Sequence, residues 1–159
     1  TFGIKAADAD LFNGSMYCLV QGNKTTSTAL QIIEDMLAAI GANPILIDAQ
    51  EHDRLVAGIS HLPLLLSVAL TLSTTGSPYW SQMSLLASTG YRDISRLASG
   101  NPEVNAGICI SNRTAIVHWI DEFNKELRKL RDLINSDNSD IQRALIMASE
   151  ARRKWLEKR

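Results

Sequence analysis

His52-Asp53-Arg54, Ser60-His61-Leu62-Pro63 and, some thirty residues on, Tyr91-Arg92-Asp93-Ile94-Ser95-Arg96 carry the side chains of this chain that can do chemistry. They fall in segments that otherwise read as apolar helices. A polar group buried there is costly unless it finds a partner, so the cluster is either a satisfied core network or the wall of a ligand site. On an α-helix Asp53, Ser60 and His61 lie on neighbouring turns and can share a face. That face has two readings: a polar pocket wall, or a capping region of Asp48, Glu51 and His52 followed by a core histidine at 61. Asp93 and Arg96 are three residues apart. This suits a surface ion pair, or an arginine held by an aspartate for a substrate carboxylate, because the guanidinium fork grips carboxylates bidentately. His52 and His61, nine residues apart without a further Cys or His nearby, fit no common zinc spacing, and no metal is expected.

The elements that must position these groups come in two kinds. Met16–Val20 is a short apolar, β-prone run ended by Gln21-Gly22-Asn23, which predicts a buried strand. Thr25, Thr26 or Ser27 then caps a helix. Its stripe is Leu30, Ile33, Met36 or Leu37, and Ile40, and Gly41 terminates it. Pro44–Asp48 is a second strand. Strand, helix and strand with short connections form a βαβ unit, which implies parallel pairing. Two strands alone are marginal, so the rest of the sheet is expected outside these residues.

From Ala49 onward the pattern is helical. A helix over Ala49–Leu72 is expected to kink at Pro63. Gly76-Ser77-Pro78 and Gly90 are breaks around helices Tyr79–Ser88 and Tyr91–Ser99. Asn101 caps and Pro102 opens the next helix. Between Asn112 and Ile134, Ile116, Ile120, Phe123, Leu127, Leu130 and Ile134 step by 4, 3, 4, 3, 4. That is a coiled-coil-like seam, fit to pack inside the domain or against a second subunit. His118 is expected at the surface. Asn135–Asn138 is a polar turn before a last amphipathic helix with Ile141, Leu145, Ala148 and Trp155. The expected division is an α/β tail over residues 1–48 and an all-α domain over 49–159.

Composition narrows the function classes. The chain is 45% apolar and 21% charged with a net charge of −1, which is ordinary for a globular domain and offers no bulk attraction to nucleic acid or anionic membrane. The basic residues of the last two helices are diluted by Glu122, Glu126, Asp132, Glu150 and Glu157, which reads as a solvated face. The apolar stretch Leu62–Leu72 is interrupted by Pro63, Ser67 and Thr71 and reads as too short for a bilayer. Cys18 and Cys109 read as free, partly buried thiols in a reducing cytosol. None of the nine glycines forms the GxGxxG dinucleotide fingerprint. Thr1-Phe2-Gly3-Ile4 begins without Met or cap and reads as a chain entered partway through.

Taken together, these segments resemble the prephenate/arogenate dehydrogenases of tyrosine biosynthesis. Ala6-Ala7-Asp8-Ala9-Asp10-Leu11-Phe12 resembles the stretch after that family's His-Pro-Met-Ala-Gly motif. Glu51-His52-Asp53 and Ser60-His61-Leu62-Pro63 resemble its helix entering the all-α domain. Tyr91-Arg92-Asp93-Ile94-Ser95-Arg96-Leu97-Ala98 with Asn101-Pro102-Glu103 resembles its Phe-Arg-Asp-Thr-Thr-Arg-Ile-Ala…Pro-Glu signature. The resemblance covers essentially the whole chain. It implies a mainly α fold, with the short βαβ tail of a Rossmann-type domain followed by an all-α helical dimerisation domain.

The family oxidises prephenate or arogenate with NAD or NADP, losing carbon dioxide as the ring becomes aromatic. Its catalytic histidine lies in the motif upstream of Thr1, so no catalytic residue is expected here and the fragment alone is expected to be inactive. By the resemblance Arg96 binds a substrate carboxylate and Asp93 orients it. Ser60, His52, Asp53 and His61 line the substrate pocket, and Thr1 lies near the nucleotide. It also implies a cytoplasmic homodimer with a small-molecule substrate, no nucleic acid and no membrane. There are three departures. Leu64 stands where the family usually has a second histidine that meets the substrate's side-chain carboxylate. Asn105 replaces a frequent Trp, and Phe2 a frequent acidic residue. These permit arogenate preference, an altered substrate or a weakened enzyme, and Leu64 and Asn105 also suit a non-catalytic helical binding or oligomerisation module.

Overall fold

The computed structural model describes residue 4, residues 7–136 and residues 140–158. They form two compact units, Thr1–Ser60 and His61–Arg159. The first is built on β1 (Met16–Leu19), α1 (Ser27–Ala39) and β2 (Asn43–Leu46). The strands are parallel, with Met16 opposite Asn43 and Leu19 opposite Leu46. The ladder extends to Asn43 N–H donating to the Ser15 carbonyl (2.8 Å) and Ile47 N–H to that of Leu19 (3.0 Å). Thr26 is the cap of α1, its hydroxyl accepting from Ala29 N–H at 3.1 Å. The expected βαβ unit is therefore present.

Its burial differs from expectation. Met16 and Tyr17 are 63% and 42% exposed, and Cys18, expected to be partly buried, is exposed too. The strand's apolar run dictates extended backbone, but burial needs a covering layer, and here each strand has one neighbour. Leu37 of α1, at 1% exposure, and Ala42 are the buried apolar residues of this unit outside the following helix.

Gly41 ends α1 at φ +73°, and a Cβ built there meets Asn13 Oδ1 at 2.7 Å. Both left-handed backbone and that approach exclude a side chain. Gly41→Ala is expected to cost about 1–2 kcal/mol of stability, read by urea unfolding. An unchanged midpoint would mean that Asn13 and the turn relax freely.

The helices that follow start with α2 (Ala49–Val56), a π-helical turn over Ala57–His61, and α3 (Leu62–Thr75). Asp48 caps α2, accepting from Gln50 N–H (2.8 Å) and Glu51 N–H (3.1 Å). The break expected at Pro63 takes the form of the π-turn just before it. Pro63 has no N–H to donate to Ile59, and its ring would strike the Ile59 carbonyl. Widening the preceding turn relieves both problems while the helix continues.

The continuous run Ala49–Thr75 is 27 residues, longer than the sequence suggested. By length and composition it is long and apolar enough to cross a membrane. The expectation of a stretch too short to do so is corrected. A mostly buried core helix meets the same criterion; here 11% of the apolar window is buried, and the side-chain ties described below join its part from His61 onward to neighbouring helices.

The rest comprises α4 (Trp80–Leu86), α5 (Thr89–Ser95), a 3-10 turn (Arg96–Ser99), α6 (Pro102–Ser111), α7 (Arg113–Asn135) and α8 (Asp140–Leu156). Gly90 does not break the chain, as expected, but lies in the first turn of α5. One helical glycine costs only about 1 kcal/mol relative to alanine, and the break falls at Ala87-Ser88 instead. Asn101 caps α6 through Glu103 N–H (2.9 Å) and Val104 N–H (3.1 Å), with Pro102 in its first turn.

α3 packs against α5, the 3-10 turn and α7, and α7 packs against α6 and α8. Leu62, Ser67 and Ile116 are buried there. The α7 seam is buried or half-buried at Ile116, Ile120, Phe123 and Leu130, whereas Leu127 and Ile134 are 52% and 67% exposed. On α8, Leu145 and Trp155 are likewise exposed. Asp137 and Asn138 of the expected polar turn lie outside the described residues.

Candidate functional site

The π-turn decides where the first polar cluster goes. Such a turn admits an extra residue, so α-helical spacing does not carry across it. The common face expected for Asp53, Ser60 and His61 therefore does not follow from their numbering. On α2, half-buried His52 donates through Nδ1 to Asp53 Oδ1 at 3.1 Å, since a carboxylate can only accept. Asp53 and Ser60 are exposed.

His61 is half-buried, and its Nδ1 lies 3.3 Å from Asn112 Nδ2. An amide nitrogen only donates, so Nδ1 accepts, and in the neutral ring the proton sits on Nε2. Asn112 thus ties the start of α3 to the start of α7, and His61 keeps one N–H to offer elsewhere.

Asp93 is on α5, and Arg96 is the first residue of the 3-10 turn. Both are exposed, and no ion pair joins them. Their shared segment is anchored from beneath. Ala98 N–H donates to the fully buried Ser67 hydroxyl at 2.9 Å. The hydroxyls of Tyr91 and Thr74 are 2.8 Å apart. Thr74 Oγ1 also lies 2.8 Å from the Leu70 carbonyl, so with its hydrogen directed there it accepts from the phenol. The Tyr91 ring packs on Trp80, centroids 5.8 Å apart.

The segment carrying Asp93 and Arg96 is thus clamped to α3 at both ends while both side chains face solvent. This leaves the Arg96 guanidinium free to bind an anion. Ser67 and Thr74 are the supporting residues that sequence reasoning did not single out; Tyr91 belongs to the motif noted above, and Asn112 was read as opening the long helix. The available signal was Ser67, Thr71 and Thr74 spaced four and three apart on an apolar helix.

α3 and α7 flank an open groove of ≈ 570 Å³ lined by Leu62, His118, Trp119, Glu122, Phe123 and Glu126. His118 is exposed, as expected. Hydrogen bonding from Lys125, then its charge, holds the Glu122 carboxyl below its ordinary range, and Glu122 raises Lys125 in return. The Glu122 contribution is present above its unfolded pKa and is lost as pH falls through the folded value. The Lys125 contribution is present below its unfolded pKa and is lost as pH rises through the folded value. This is a surface pair and worth little. None of the expected substrate residues lines the groove.

Thr1 and Phe2 lie outside the described residues. Among the described residues no three His, Cys, Asp or Glu side chains group as a metal site. The β1–α1 connection has the single glycine Gly22, whose N–H is bonded to Thr25 Oγ1 at 3.0 Å.

The family described as prephenate dehydrogenase, dimerization domain, matches residues 48–148. The chain belongs to this family. The match takes in α2 through the first half of α8, including Arg96 and the supports beneath it.

The prephenate dehydrogenase of Bacillus subtilis (strain 168) is 29% identical over 139 residues, 87% of this chain and 38% of that protein. The cyclohexadienyl dehydrogenase of Zymomonas mobilis is 29% identical over 140 residues, 87% of this chain and 48% of that one. Among solved structures, Synechocystis arogenate dehydrogenase superposes with a TM-score of 0.82 at 30% identity, over 96% of this chain and 56% of that one. Prephenate dehydrogenase from A. aeolicus, in complex with hydroxyphenyl propionate and NAD+, gives 0.86 at 21% identity, over 96% and 54%. At that identity the likeness concerns the fold. The chain spans less than half the length of these two curated relatives. A mainly helical chain with a two-stranded parallel sheet is thus the architecture of the corresponding region of prephenate dehydrogenase family structures.

Proposed function

We propose that this chain is the C-terminal portion of an NAD(P)-dependent prephenate dehydrogenase. The enzyme would carry out oxidative decarboxylation of prephenate to 4-hydroxyphenylpyruvate in tyrosine biosynthesis. The observation that carries the reading is Arg96, exposed at the head of a turn that is clamped to α3 from beneath, within a chain of this family. A guanidinium carried on an anchored turn suits bidentate capture of a substrate carboxylate. Asp93, three residues earlier, sets the local field around that arginine, to which no ion pair joins it. By the family resemblance His52, Asp53, Ser60 and His61 are the further substrate-binding residues, with the His61 Nε2–H as a donor. The family resemblance assigns Thr1 to nucleotide binding. The proton-accepting histidine and the nucleotide cradle come from chain outside these 159 residues.

The domain organisation we favour is 1–48 as the tail of the nucleotide-binding domain and 49–159 as the substrate-binding and dimerisation domain. The protein is a cytoplasmic homodimer in this reading. Arogenate is the alternative substrate, and a specific residue favours it. Leu64, half-buried on α3, brings neither charge nor donor to a position where the family usually has histidine.

The test is reduced-cofactor formation by the complete enzyme with prephenate and arogenate compared side by side. Turnover of either is expected, with none from residues 1–159 alone. A folded, nucleotide-binding dimer that turns over neither substrate would overturn the reading in favour of a non-catalytic helical module.

A further inference from the structure

We infer that Ser67 is a positioning residue for substrate binding, acting through Arg96; this rests on the carboxylate-binding role proposed for Arg96. Ser67 is the buried polar residue among the described residues, at 0% exposure, and sits mid-way along α3 between Leu66 and Val68. A hydroxyl in that setting is costly to bury unless it is bonded. Its partner is the backbone N–H of Ala98, 2.9 Å away and 31 residues distant in sequence.

Ala98 is the third residue of the 3-10 turn that Arg96 begins. Short 3-10 turns have poor internal hydrogen-bond geometry, so an outside acceptor decides where the turn sits. At the other end of the segment, Tyr91 bonded to Thr74 holds α5 on the same helix. Arg96 lies between these two ties, has no ion-pair partner among the described residues and is exposed. Arg96 closes α5 and opens the 3-10 turn, and the Ala98–Ser67 bond anchors that turn to α3 from below. A guanidinium displaced by a fraction of an ångström keeps its charge but loses the two-point geometry that makes a carboxylate pair strong.

The test is a double-mutant cycle in the complete enzyme with Ser67→Ala and Arg96→Ala. Ser67→Ala is expected to raise substrate KM about tenfold, the scale of one net hydrogen bond, with kcat and nucleotide KM nearly unchanged. In the Arg96→Ala background the same substitution should have no further effect on kcat/KM, because the group it positions is gone. Ser67→Cys, similar in size with a weaker acceptor, should fall between.

Should Ser67→Ala fail to fold, the same non-additivity is read from Ser67→Cys. Equal losses in both backgrounds, or no loss with Arg96 intact, would overturn the inference while leaving the role of Arg96 standing. An Arg96→Ala enzyme with normal substrate KM would instead overturn the carboxylate reading, and this inference with it.

Discussion

Arg96→Ala in the complete enzyme is expected to raise substrate KM about a hundredfold and leave thermal stability essentially untouched. The affinity loss follows from chemistry. A charged, forked contact to a carboxylate is worth about 1.5–3 kcal/mol net, and about 2.7 kcal/mol is a hundredfold. The preserved stability follows from structure. Arg96 is exposed and makes no ion pair with a described residue, so its removal breaks no internal contact. Surface substitutions of that kind stay within about 0.5 kcal/mol. Arg96→Lys keeps the charge without the fork and should recover only part of the affinity. Steady-state kinetics paired with a melting curve checks both halves. An unchanged KM would remove Arg96 from the substrate site.

The second large effect is expected on assembly. Leu127 and Ile134 lie seven residues apart on the α7 seam and are 52% and 67% exposed, although the same seam is buried at Ile116. A stripe that changes from covered to uncovered along one helix, in a family described by its dimerization domain, suits a second copy as the missing cover. Replacing both with aspartate would place two unpaired carboxylates in that interface, at several kcal/mol each. Dimer affinity should weaken by on the order of 10³-fold or more. Sedimentation velocity at micromolar protein is expected to show monomers with normal helix content. A double variant that keeps the dimer mass would place the interface elsewhere.

Much of the fold was legible in residue patterns because local forces decide it. The βαβ order, the Thr26, Asp48 and Asn101 caps, the Gly41 terminus and the long α7 all rest on capping, φ preference and periodicity within a few residues. The site was less legible. Arg96 and Asp93 stood out as a motif, but their not pairing depends on how α5 passes into the 3-10 turn. Pro63 announced a disruption, yet its form, a π-turn over Ala57–His61, was not legible, and across such a turn the face expected for Asp53, Ser60 and His61 no longer follows from α-helical spacing. Ser67 looked only like an interruption of an apolar stretch. Its meaning lay 31 residues away at Ala98.

The sequence by itself determined the order of elements, the helical character after Ala49, the family through Ser60-His61-Leu62-Pro63 and Arg92-Asp93-Ile94-Ser95-Arg96, and the residue types available for binding a carboxylate. Tertiary structure alone decided which polar groups find partners: His61 with Asn112, Thr74 with Tyr91, Ser67 with Ala98. It also decided which apolar groups stay uncovered, from Tyr17 to Ile134. The reason is physical. Capping and periodicity act over three or four residues, whereas burial and hydrogen-bond satisfaction depend on whatever the folded chain brings alongside, however distant in sequence.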